Sequence, residues 1–172
     1  MLDRIFIGAA GAIAAVSCAC AHITLERREA PVGASYKAVM RVPHGCAGSP
    51  TTAIRVRIPE GIVEVKPMPK PGWKLDTVSG KYSRSYSING VKASEGVTEI
   101  RWSGGTLPDA FYDEFVFIGT IADELEAGRT IYFPVVQECE KGVARWIEIP
   151  VAGQAHDETS EPAPGLQLLP KR

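Results

Sequence analysis

From His22 to about Val151 the apolar residues come in short runs broken by Gly, Pro, Asn and Asp, and that rhythm restricts the fold more than any other feature. Ile54, Val56 and Ile58 alternate with Arg55 and Arg57, which turns one side chain to a core and the next to water, as in a half-buried strand. Tyr36 to Val42 and Thr98 to Ser103 read the same way. Phe111 to Ile121 and Ile131 to Gln137 are more continuously apolar, as expected of strands inside a sandwich. Asn89-Gly90 between β-forming residues is a hairpin signal, because both favour the positive φ of tight turns. Glu140-Lys141-Gly142 predicts a second hairpin, joining 131–139 to 143–149.

Helical periodicity is nearly absent. Ala122 to Ala127 is long enough for one or two turns before Gly128, and nothing else qualifies. The pattern predicts an all-β fold, an antiparallel immunoglobulin-like β-sandwich. After Gly153 the composition shifts to Pro, Glu, Ser and Thr with a small Leu cluster at 166–169. Such a stretch buries too little to fold alone, so 153–172 is expected to be a flexible tail following a domain at 22–152. His156 with Asp157 and Glu158 is read as part of a solvated tail rather than a metal site.

The first 21 residues have the anatomy of a secretory signal peptide. Arg4 lies in a short n-region, Ile5 to Val16 is an apolar run, and Ala19-Cys20-Ala21 offers small residues at an A-x-A cleavage site. The apolar run is too short for a stable membrane anchor. Cleavage after Ala21 predicts a periplasmic or secreted protein with no membrane span in its mature form. A lipoprotein reading would acylate Cys18 or Cys20, but neither has Leu at the usual position upstream.

Cleavage also simplifies the cysteines. Of four, Cys18 and Cys20 leave with the signal, and Cys46 and Cys139 remain. In an oxidising compartment such a pair is most simply a disulfide. The rival, a Cys-based copper or zinc site, lacks C-x-x-C spacing. The charges nearly cancel, with 19 Lys+Arg against 20 Asp+Glu, and no basic cluster points to nucleic acid or an anionic membrane.

A histidine at a new N-terminus is an unusual ligand. The α-amine and the imidazole Nδ1 of His22 belong to one residue and chelate one metal in a six-membered ring. Two nitrogens in a plane suit the tetragonal preference of Cu(II). The competing reading is a frayed terminus. His44, in Val42-Pro43-His44-Gly45-Cys46, is either a loop histidine bonded to backbone or a second imidazole ligand held by the adjacent bridge. Trp146 is either core or the wall of a metal site, and Gln137 and Glu138 flank Cys139 as polar partners.

Together these residues resemble the YcnI-like family of exported copper-binding proteins. The resemblance runs through His22-Ile23-Thr24, Val42-Pro43-His44-Gly45-Cys46, Ile58-Pro59-Glu60-Gly61, Pro71-Gly72-Trp73, Ile100-Arg101-Trp102-Ser103-Gly104-Gly105, Phe133-Pro134-Val135-Val136-Gln137 and Trp146. It implies a β-sandwich in the bacterial envelope that binds Cu(II) through a histidine brace at His22, with Trp146 beside the metal. In the family's best-described branch a glutamate near the end of the second strand is also a ligand. The matching stretch here, 42–46, holds no carboxylate, and His44 is expected to take that role.

The expected function is therefore non-enzymatic copper binding, with another envelope copper protein as donor or acceptor. One alternative is a copper monooxygenase, for which Trp73, Trp102 and Tyr112 are the candidate stacking aromatics. The other is a metal-free immunoglobulin-like interaction module.

Overall fold

The computed structural model describes residues 22–88, 90–150 and 160–171, so the expected signal peptide, Asn89 and His156 lie outside the described residues. Among the described residues twelve strands follow in order: β1 (Thr24–Leu25), β2 (Glu29–Pro31), β3 (Ser35–Val42), β4 (Thr51–Arg57), β5 (Ile62–Pro67), β6 (Lys74–Ile88), β7 (Val91–Leu107), β8 (Asp113–Ile121), β9 (Thr130–Tyr132), β10 (Val135–Cys139), β11 (Val143–Trp146) and β12 (Gly165–Leu169). They form a four-stranded sheet β1-β3-β8-β5, a five-stranded sheet β11-β10-β4-β7-β6 and a small sheet β2-β12-β9. Every pairing is antiparallel except that of β12 with β2. Among the described residues no helix forms, and 122–127 is turn and irregular chain.

One core joins the sheets. Ile54 and Val56 of β4 and Ile100 and Trp102 of β7 pack with Tyr36 and Met40 of β3 and Phe115 and Phe117 of β8. Trp102 meets Phe115 edge-on with ring centroids 5.5 Å apart, a geometry that favours aromatic pairs beyond their buried area. Trp73 meets the same ring at 5.0 Å and lies so close over Gly105 that a Cβ there would collide with its indole. Gly105 is thus required by packing, while its neighbour Gly104 has a positive φ of 77°.

Two expectations need correction. The apolar run 131–137 is not one strand. Pro134 has no N–H to continue a ladder, and the chain changes sheets there. Phe133 donates its N–H to the Pro164 carbonyl beside the small sheet, and the Pro134 carbonyl accepts from Arg57 at the end of β4.

Nor do residues 160–171 form a tail. β12 lies between β2 and β9, and Leu166 and Leu168 enter the common core at 0% and 1% exposure. Five residues cannot fold alone, but here two existing strand edges supply their hydrogen bonds.

Candidate functional site

The start of the domain is fixed rather than frayed. Thr24 and Leu25 pair with Arg41 and Met40 of β3, and the Ile23 side chain is fully buried. His22 sits one residue before that anchor, half-buried. Extending the β1–β3 register by two residues puts His22 opposite Pro43, the neighbour of His44. The His22 ring lies against Trp146, centroids 5.7 Å apart and planes inclined at 56°.

Trp146 connects His22 to the His44 loop. Along β10 the inward positions are Val135 and Gln137, so an amide occupies a place where the strand pattern calls for an apolar residue. Gln137 is fully buried. Its Oε1 accepts the Trp146 indole N–H at 2.9 Å, and its Nε2 donates to the His44 carbonyl at 2.7 Å and to Thr51 Oγ1 at 2.8 Å. An indole N–H only donates and a carbonyl only accepts, so the orientation of the amide is dictated at both ends.

The loop bearing His44 is tied at several points. Cys46 and Cys139 form the disulfide, with Cα atoms 6.0 Å apart. Cys46 and Ser49 exchange backbone hydrogen bonds at 2.8 and 3.0 Å. Gly45 is buried, and a Cβ there would run into the Ser49 carbonyl. His44 Nδ1 lies 2.6 Å from the Gly45 carbonyl. A proton on Nδ1 satisfies that contact, which puts the lone pair of the neutral ring on Nε2, the arrangement usual in metal-binding histidines.

A carboxylate also reaches this loop. Asp109, between β7 and β8, stands so that an added Gly45 Cβ would lie 3.1 Å from its Oδ1. Asp109 was not legible in the sequence, because 63 residues separate it from Cys46 and the pairings of Val42 with Asp113 and of Thr51 with Leu107 bring their loops together. Among the described residues no three His, Cys, Asp or Glu side chains converge into a metal-binding group. At this end the described residues that carry nitrogen or oxygen donors include His22, His44 and Asp109.

His22 opens onto a groove of about 540 Å³, lined also by Leu25, Arg28, Thr130, Tyr132 and Gln167. Of the candidate stacking aromatics, Trp102 is fully buried with its indole N–H on the Met68 carbonyl, and Trp73 packs on Phe115. Tyr112 is exposed, and so is its neighbour Phe111.

A family model described as a domain of unknown function, DUF1775, matches residues 22–168. The chain belongs to this family. The DUF1775 match opens on His22 and runs through Leu168, so it takes in both the anchored start of β1 and most of β12. A crystal structure of an uncharacterized protein from Nocardia farcinica, which reveals an immunoglobulin-like fold, is similar with a TM-score of 0.62. The alignment is 24% identical and covers 86% of this chain and 98% of that one. At that identity the likeness carries the fold, so this DUF1775 chain is an all-β, immunoglobulin-like protein with one disulfide, Cys46–Cys139. No curated protein matches.

Proposed function

We propose that this DUF1775 protein is a YcnI-like copper protein of the bacterial envelope, which binds Cu(II) without turnover through a histidine brace at His22. The observation that carries the reading is the position of His22, one residue before a fully buried Ile23 and against the Trp146 ring. A frayed terminus would have neither contact.

In this reading signal peptidase cuts after Ala21 and frees the α-amine. Amine and imidazole of His22 then supply two nitrogens from one residue, and His44 Nε2 supplies a third. Trp146 covers one side of the ion, and the groove beside His22 leaves another side open. An open position at the chain terminus suits copper as cargo, received from or passed to another envelope copper protein by ligand exchange. The burial of Trp102 and the packing of Trp73 favour binding over polysaccharide oxidation, which needs aromatics on an open face.

Isothermal titration of correctly processed protein with Cu(II) tests the proposal. We expect one tight equivalent, lost in His22→Ala. Equal binding by wild type and His22→Ala would refute it.

A further inference from the structure

We infer that Gln137 is a positioning residue for the metal site, a buried group that holds the His44 loop and the Trp146 wall in fixed relation. The inference rests on the copper reading above and goes beyond it, because Gln137 acts through the His44 carbonyl and the Trp146 indole rather than as a ligand.

Three observations carry it. Gln137 is fully buried, and an amide placed in a core is costly unless its hydrogen bonds are made. It makes three, and the partners belong to three separate segments: Trp146 on β11, the His44 carbonyl in the β3–β4 loop and Thr51 on β4. Two of these segments are the ones that would face the ion. Trp146 lies on the His22 ring, and His44 carries the other imidazole.

An apolar residue like Val135 at the preceding inward position would leave the Trp146 N–H and the His44 carbonyl without this partner. Gln137 instead bonds the backbone of one candidate ligand and the indole that packs against the other. The disulfide ties the loop at Cys46, two residues after His44. The Gln137 bond holds the backbone of His44 itself, and so the place from which the imidazole projects. Orienting partners of this kind typically change metal affinity by about 10- to 100-fold when removed.

Two variants separate the roles. Gln137→Glu keeps the size and the acceptor for Trp146 but replaces the donor facing the His44 carbonyl with an oxygen. Gln137→Met keeps the approximate length and removes both ends without burying a charge. Both are prepared with a free His22 and compared with wild type in Cu(II) titrations, in the electron paramagnetic resonance spectrum of bound Cu(II), and in thermal unfolding.

The expected result is a dissociation constant raised by about 10- to 100-fold and an altered copper hyperfine splitting in each variant that unfolds cooperatively. A role confined to stability would lower the melting midpoint and leave the spectrum of the bound ion unchanged. Wild-type affinity and spectrum in a folded variant would overturn this inference while the copper reading stood. Absence of Cu(II) binding by the wild type would overturn both. Should Gln137→Glu fail to fold, Gln137→Met decides, and Trp146→Phe provides the same comparison from the other end of the amide. It removes the indole N–H and keeps an aromatic body.

Discussion

The His22 imidazole and the Trp146 indole lie 5.7 Å apart at the end of the sandwich where β1 and β11 meet the common core. Cu(II) is a strong short-range quencher of indole emission, and only one of the three tryptophans stands beside His22. Titration with Cu(II) should therefore remove part of the tryptophan fluorescence and stop at one equivalent. Trp146→Phe should abolish the change, while Trp73→Phe should leave it. Quenching that persists without Trp146 would place the ion elsewhere.

The disulfide closes a sequence separation of 93 residues. Replacing Cys46 and Cys139 together by Ala should lower unfolding free energy by about 4.7 kcal/mol on the chain-entropy model, read from urea denaturation. Because Cys46 tethers the His44 loop, the same variant should bind Cu(II) more weakly while retaining the contribution of His22. Unchanged copper affinity would show that the bridge is not what holds the His44 loop at the ion.

Leu166 and Leu168 anchor β12 between β2 and β9. Leu168→Ala should cost about 2–5 kcal/mol, the usual range for truncating a fully buried leucine. A chain ending at 159 should lose more, since the inner edges of β2 and β9 would be left unpaired. A loss under 0.5 kcal/mol, the usual scale of surface changes, would mean that β12 is dispensable.

These strands show where the sequence was readable. Ile54, Val56 and Ile58 are buried and Arg57 is exposed, because period-two alternation follows directly from the pleat. β6 escaped because most of its 15 residues are exposed or half-exposed, so no alternation marks it. β12 escaped because its partners are 35 and 138 residues away, as in Leu166 with Ile131 and Leu168 with Ala30. At the site, His22, His44, Trp146 and the two cysteines were all visible as residue types in context. The place of Gln137 was visible only as an amide at an inward strand position, and that of Asp109 only through the fold.

The phenols give a pH dependence. Burial pushes the Tyr36 hydroxyl well above its ordinary value of 10.0, with the Arg27 charge opposing, and it donates to the Arg27 carbonyl at 2.6 Å. Burial likewise raises Tyr82 and Tyr86. A raised folded pKa means that the stabilisation is complete below about pH 10 and is lost as the pH climbs beyond it. At the acid end burial acts to raise Glu60, but hydrogen bonds from Tyr86 and Ser83 and the Arg84 charge outweigh it and hold the carboxyl below 4.5. Its contribution is present above that value and lost as the pH falls. Urea midpoints should thus fall off above about pH 10, and Tyr36→Phe should flatten that alkaline slope. An unaltered slope would assign the loss to other groups.

The claim that everything else depends on is the free amine of His22. The direct measurement compares Cu(II) affinity, by competition with a chromogenic chelator, for two forms of the folded protein: one starting at His22 and one retaining Ala21 in front of it. The two differ in whether the His22 nitrogen is an amine or a peptide nitrogen, while Trp146, His44 and the disulfide are common to both. The account predicts tight 1:1 binding by the first form and a large loss in the second. Equal affinity would contradict the brace and assign the copper, if it binds at all, to side chains alone.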